Sequence, residues 1–325
     1  MTSFSPEHIA GQRLLVGFDG TRFNEDLQFL IGELKVGGII LFSRNIESAD
    51  QVRELTRCVQ DYAQQKGQPP LFVAIDQEGG QVARLKPPFT QFPSGNPGMT
   101  DDSHARHFAD VTAEELGDIG VNMDMAPVLD VQPRGFSGVM SKRVFNGNPS
   151  FVARMGNTVI SGLQDRGIMA VAKHFPGIGR TTLDSHLILP VLDTDYDALS
   201  SSDFIPFEAA IENNVAGIML SHIQYNALDD EWPASLSEKV VKGLLRQDMG
   251  YQGLVMTDDL DMKAIRVEIQ VSVSRIIAAD VDVALICHKG PDIERAFRVF
   301  LDNPVEDNMR SYERIMNVKK QYLGV

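Results

Sequence analysis

The chain has 325 residues, 43% hydrophobic and 23% charged, which is ample material for a core and close to ordinary globular usage. A formal net charge of -14 and a pI near 4.9 exclude the basic patch that a nucleic acid or an anionic membrane surface would require. No stretch approaches the ~20 apolar residues of a membrane span, and the N-terminus has no charged region leading into an apolar one, so a cytoplasmic protein is expected.

Eight short apolar runs follow one another along the chain: "LLVGF" from Leu14, "VGGIILF" from Val36, "LFVAID" from Leu71, "VNMDMAP" from Val121, "IMAVAKHF" from Ile168, "VAGIMLSH" from Val215, "GLVMTDD" from Gly253 and "VDVALICH" from Val281. Segments of helical period separate them, such as "ADQVRELTRCVQDYAQQ" and "PSFVARMGNTVISGLQDRG". Strands without polar alternation, joined by crossover helices, describe a parallel sheet buried on both faces. Eight such units predict an α/β protein with a single (β/α)8 TIM-type barrel over residues 1–325, and the tail "MRSYERIMNVKKQYLG" predicts a final outer helix. An open doubly wound sheet would carry a glycine fingerprint after its first strand, and "FDGTRFNED" has no G-x-G-x-x-G. No low-complexity linker divides the chain, and a monomer is expected.

In a barrel of this kind, chemistry sits at the C-terminal ends of the strands. The third run ends in Asp76, Gln77 and Glu78, the fifth in Lys173-His174, the sixth in Ser221-His222, the seventh in Asp258-Asp259 and the eighth in His288. Five polar ends out of eight favour a site over scattered caps. Asp258 is placed to offer a carboxylate nucleophile at the barrel mouth. The competing reading makes it the N-cap of a helix "DLDMKAI", a role that Asp259 or Asp261 could equally fill. Asp184 stands two residues before His186 in the loop after the fifth run, where it could orient the imidazole and raise its proton affinity.

A metal site on His174, His186, His222 and His288 would need fixed ligand separations, and no H-x-x-x-H or H-x-H pair is present. Cys58 and Cys287 likewise lack metal-ligand spacing and read as reduced, packed thiols. Neither a metal nor a cofactor is expected.

Taken together, "LLVGFDG", "VGGIILFSRNI", "IDQEGGQVARL", "MAPVLDV", "KHFPG", "DSH", "PASLS" and "MTDDLDM" resemble, in order, the β-N-acetylglucosaminidases of glycoside hydrolase family 3, of the peptidoglycan-recycling type. The resemblance runs from Ile9 to the final helix. It implies a retaining hydrolase that releases terminal N-acetylglucosamine (GlcNAc) from GlcNAc-containing saccharides such as muropeptides, through a covalent glycosyl-enzyme. It further implies Asp258 as nucleophile, His186 as acid/base assisted by Asp184, and sugar contacts from Asp76, Arg84, Arg143, Lys173 and His174. Should His186 only bind sugar, Glu78 would be the next proton donor to consider.

Retaining glycosidases usually pair two carboxylates, and here a histidine with an ordinary pKa near 6.5 would replace one of them. A neutral imidazole does not repel an anionic acceptor, which leaves phosphorolysis open. The same residues are compatible with a broader β-glycosidase and with a non-catalytic sugar-binding barrel. Two departures from the family stand out. "KHFPGIGRT" puts Ile178 and Arg180 where a histidine and an aspartate are common, and "AADVD" keeps Asp282 but lacks the usual glycine, which is read as packing before the eighth strand. Many relatives also carry a second α/β sandwich domain, for which this chain has no room.

Overall fold

The computed structural model describes residues 5–183, 189–288 and 290–324. All eight apolar runs form parallel strands: β1 (Leu14–Val16), β2 (Gly38–Leu41), β3 (Phe72–Ile75), β4 (Met123–Asp124), β5 (Met169–Phe175), β6 (Gly217–Leu220), β7 (Leu254–Thr257) and β8 (Ala284–Ile286). They lie in the order β7-β6-β5-β4-β3-β2-β1-β8, and a bridge between Met256 of β7 and Val283 brings the two ends of the sheet together. The result is a nearly closed eight-stranded barrel. β4 is shorter than its run suggests, because Pro127 interrupts "VNMDMAP" and has no N–H for a ladder.

The strands are apolar throughout because they are buried on both faces. Phe72 and Ala74 of β3, and Met169 and Val171 of β5, point into the barrel, where Met123, Met219 and Met256 fill the interior. Their unbranched side chains adapt to an irregular space. Val73, Ile75, Ala170 and Ala172 point outward against the helices. The helix Ala49–Gln65 shows how the outer layer is specified. Ser48 accepts the Gln51 N–H at its start, and Val52, Leu55, Val59 and Ala63 line the buried face. Each of the larger three contributes about 1.5–3 kcal/mol by burial. Arg53, Arg57 and Asp61 keep to the other face, where they form ion pairs.

The final helix, Val305–Leu323, is not merely packed on the outside: its Ile315 and Val318 enter the barrel's interior cluster. It covers a group of buried charges at the strands' N-terminal end. Asp282, wholly buried, accepts from Arg246 and Arg314 at 2.7 Å each. Arg13 is also wholly buried and donates to the backbone carbonyls of Val281 and Asp282 and to Asn308. Burial pushes its guanidinium down to about 10, although Asp282 and Asp280 pull the other way.

The departure at "AADVD" is explained here. Asp280 adopts φ 62°, a conformation that glycine takes without steric cost, and its two carboxylate oxygens are held by Arg314 at 2.7 and 3.0 Å. The bidentate contact offsets the cost of a side chain in left-handed backbone. No helix among the described residues is long and apolar enough to cross a membrane.

Candidate active site

The C-terminal ends of β3, β5 and β7 carry the polar residues expected of them. After β3 the chain turns through a hairpin, Gln77–Gly79 against Val82–Ala83, which needs Gly79 and Gly80 at φ 80° and 61°. A Cβ on Gly79 would come within 3.1 Å of the Gly95 Cα, so "EGG" is a conformational and steric requirement. The hairpin sets Asp76, Glu78 and Arg84 around Lys173 of β5.

Lys173, 2% exposed, places its ammonium 2.7 Å from both Asp76 Oδ1 and Glu78 Oε1. Arg84 holds the other oxygen of Asp76 at 2.8 Å. Arg143 grips Glu78 with two nitrogens, at 2.7 and 2.9 Å. Burial alone would raise both carboxyl pKa values, but Lys173 with Arg84 holds Asp76 well below its ordinary range, and Lys173 with Arg143 lowers Glu78. An ionised Glu78 with both oxygens occupied has no proton to give, which argues against it as the reserve proton donor.

His174 joins the same group. Its Nδ1–H donates to Asp130 Oδ2 at 2.8 Å, and its Nε2, 3.4 Å from Arg143 Nη2, is left as an acceptor. Asp130 also accepts the backbone N–H of His174 and of Ile178, at 3.2 and 2.8 Å. One buried carboxylate therefore fixes both the imidazole and the start of the following loop. Ile178 is itself buried, as a core residue would be.

Asp258 follows β7 without a cation in contact among the described residues. Its Oδ1 accepts the backbone N–H of Asp259 at 2.8 Å. Burial pushes its carboxyl up, but His222, His174, the Asp259 N–H and Lys173 together outweigh this and lower it. Three cations (Arg84, Lys173, Arg143) are paired directly with two carboxylates (Asp76, Glu78), and the buried carboxylates of Asp130 and Asp258 lie in the same field.

The helix expected at "DLDMKAI" is absent: turns occupy the segment, and the next helix is Ile269–Ala278. Asp259 instead accepts from the N–H groups of Asp261 and Cys287, and Asp261 accepts from His288 N–H. These bonds tie the loop to the end of β8. With no helix to cap, the N-cap reading of Asp258 loses its basis.

His222 stands out in the sequence by its place after β6, where its motif gives it no role. It is 1% exposed, donates from Nε2 to the Asp259 carbonyl at 2.9 Å, and accepts at Nδ1 from the Ser235 hydroxyl at 2.7 Å. Those partners define one tautomer and hold the turn whose N–H bonds Asp258. Burial lowers its pKa, against the pull of Asp258. His288 lies farther out, half-exposed, with Nδ1 3.2 Å from Arg44.

Asp76, Arg84, Arg143, Lys173 and His174 are thus connected by direct contacts, and Asp258 shares their electrostatic field. Asp184 and His186 lie outside the described residues. Asp130 and His222 are the residues that sequence reasoning leaves unassigned. Asp130 has a signal in the last position of "PVLD", and His222 in its strand end. No group of three or more histidine, cysteine, aspartate or glutamate side chains among the described residues is arranged to hold a metal ion.

A (β/α)8 barrel with buried carboxylates and cations at its C-terminal mouth is the frame of a glycoside hydrolase, and the sequence matches the glycosyl hydrolase family 3 N terminal domain over residues 7–317. The chain belongs to that family. It is 36% identical over 307 residues to a β-hexosaminidase of Alkalilimnicola ehrlichii, a match covering 90% of this chain and 86% of that one. It is 37% identical over 264 residues to β-hexosaminidase A of Pseudoalteromonas piscicida, covering 75% of this chain but only 44% of that longer protein.

Among solved structures, a family 3 β-N-acetylglucosaminidase from Paenibacillus sp. superposes with a TM-score of 0.95 at 34% identity, over 99% of this chain and 63% of that one. NagZ from Neisseria gonorrhoeae in complex with N-trifluoroacetyl-D-glucosamine gives 0.81 at 29% identity, over 96% and 94%. Within the family, the chain groups with the β-hexosaminidases.

Proposed function

We propose that this chain is a retaining, exo-acting β-N-acetylglucosaminidase that works as a single catalytic barrel on muropeptide fragments or other GlcNAc-terminated glycosides in the cytoplasm. The observation that carries the reading is Asp258: an ionised carboxylate after β7, with one oxygen held by a backbone N–H and no cation in contact among the described residues. A carboxylate tied up by arginine or lysine would be a poor nucleophile, and this one is not tied up. The relative with a bound GlcNAc analogue supports an aminosugar in the adjoining subsite.

In this reading Asp258 attacks the anomeric carbon as the glycosidic bond breaks, and His186 gives its proton to the departing oxygen. The imidazole then takes a proton from water, whose oxygen displaces Asp258 and frees the sugar. Asp184 orients His186. Asp76, Arg84, Arg143, Lys173 and His174 hold the hydroxyl and acetamido groups, and their mutual ion pairs fix their positions before the sugar arrives.

Two substrates of different leaving-group quality test the proton donor. General acid catalysis contributes about 10²–10⁴-fold when the leaving alcohol is poor, and little when a nitrophenol departs. His186→Ala is therefore expected to lose orders of magnitude on a GlcNAc disaccharide and far less in the glycosylation of an activated aryl glycoside, with Asp184→Ala milder on both. Equal losses on the two substrates would make His186 a binding residue and remove the proposed mechanism.

A further inference from the structure

Asp124 ends β4 and is wholly buried, yet it has no part in the contacts described above. Its Oδ1 accepts the backbone N–H of Gln77 at 2.9 Å. That bond marks the point where β3 leaves the sheet. As far as Ile75 the strand pairs with β4 through its backbone, ending with the Met125 N–H on the Ile75 carbonyl at 2.8 Å. Two residues on, the ladder has stopped, and a buried N–H left without a partner would be costly. The Asp124 side chain takes it. Asp76 therefore stands between two fixed points, both supplied by the β4 segment.

The link continues through Gln77, which is also buried. Its Oε1 accepts the backbone N–H groups of Arg84 and Leu85, at 2.9 and 3.1 Å. One series of hydrogen bonds thus leads from Asp124 to both arms of the hairpin, and so to Asp76, Glu78 and Arg84, which meet Lys173 and Arg143.

We propose that Asp124 is a positioning residue for sugar binding: through Gln77 it sets the hairpin that carries Asp76, Glu78 and Arg84 against Lys173. The proposal rests on the sugar contacts assigned in the hydrolase reading, and a binding measurement separates the two.

The second carboxyl oxygen adds a pH dependence. Asp124 Oδ2 is buried and has no hydrogen-bond partner among the described residues. The charged groups around it are Asp76 and Glu78 on the hairpin and Lys173 on β5, with Arg84 and Arg143 paired to those carboxylates. Burial pushes the carboxyl up to about 7, helped by Asp76 and Glu78 and opposed by the Gln77 N–H and Lys173. Below that value the acid is neutral and Oδ1 still accepts. Above it, a third carboxylate competes with Asp76 and Glu78 for Lys173, and affinity for the sugar falls.

Calorimetric binding of GlcNAc, run beside hydrolysis of an aryl β-N-acetylglucosaminide, supplies the test. Asp124→Leu keeps a branched side chain without the acceptor and should raise both the Kd for GlcNAc and KM about tenfold at pH 6, with kcat changed about twofold or less. Asp124→Asn keeps an acceptor oxygen and should recover most of that loss. Between pH 6 and 8 the wild-type Kd should rise about three- to tenfold more than that of Asp124→Asn, which cannot ionise. An Asp124→Leu protein that melts earlier yet binds GlcNAc as the wild type does would make Asp124 a structural residue only and overturn the proposal. Equal pH dependence in the wild type and Asp124→Asn overturns it too, and that comparison decides the matter if Asp124→Leu does not fold. A wild-type protein that binds GlcNAc but cleaves no aryl glycoside removes the hydrolase reading and leaves this inference to the Kd values; one that binds no GlcNAc removes both.

Discussion

At the N-terminal end of the barrel, Arg13, Arg246 and Arg314 meet Asp280 and Asp282 under the helix Val305–Leu323; at the C-terminal end, Arg84, Lys173 and Arg143 meet Asp76 and Glu78. Both groups set three cations against two carboxylates. Where they differ is in what neutralises the remainder. Below, it is dispersed onto neutral acceptors, as Arg13 donates to two backbone carbonyls and Asn308. Above, the buried carboxylates of Asp130 and Asp258 stand beside it, and the Asp258 carboxylate has, among the described residues, one backbone N–H as its hydrogen-bond partner. Buried charge by itself therefore does not mark a reactive site. On the proposed reading, Asp258 is set apart by an open oxygen beside the sugar contacts.

Replacing one residue at each end breaks the comparison where it is strongest. Asp258→Ala is expected to lower kcat at least about 10³-fold while leaving the melting temperature nearly unchanged, because it deletes the covalent route and no core contact. More than about a tenth of wild-type turnover remaining would dismiss Asp258 as nucleophile. Arg314→Ala should do the reverse. It takes one of two arginines from the buried Asp282, leaving Arg246 in place, and removes the clamp on Asp280, costing about 1.5–3 kcal/mol in denaturant unfolding, with kcat of the folded enzyme preserved. Adding Asp280→Gly should recover part of that loss. A fall in kcat without a fall in stability would erase the contrast between the two ends.

Lys319 sharpens the contrast. It is wholly buried at the covered end, with acceptors in Gln12 Oε1 at 2.6 Å and Gly37 O at 2.8 Å and, among the described residues, no carboxylate partner. Burial pushes its pKa down to about 7. Between that value and the ordinary lysine range near 10.4, the unfolded chain binds a proton that the folded protein does not, so stability rises with pH. The expected slope approaches about 1 kcal/mol per pH unit. Lys319→Met should remove that increment from urea titrations run between pH 7 and 10. An unchanged slope would mean that Lys319 stays charged when folded.

The smallest effect is expected at His222. His222→Gln disturbs the donor to the Asp259 carbonyl and leaves Asp258 in place, so kcat should fall on the order of tenfold with KM little altered. A change confined to KM would place His222 among the sugar contacts.

The barrel was legible because each strand is an uninterrupted apolar run, and even the two-residue β4 announces itself through "VNMDMAP". The charge lattice was legible as residue types at strand ends. Which carboxylate pairs with which cation was not, since Glu78 reaches Arg143 across 65 positions and Asp130 reaches His174 across 44. Two misreadings share a cause. "DLDMKAI" has helical spacing, but its aspartates find N–H partners just after β8, and the final helix looks external until Ile315 and Val318 meet the barrel interior. In both, contacts made far along the chain override the local pattern.

The contact between Lys319 and Gln12 spans 307 positions, and that between Arg13 and Asn308 spans 295. This gives the covered end a timetable. A ribosome adding about 5–20 residues per second needs about 15–60 s to make that stretch, and throughout it β1 has no β8 beside it. Arg13 leaves the exit tunnel long before Asn308 is made and waits for that partner. The covered end is therefore the part of this enzyme most in need of protection from premature pairing while the chain is made.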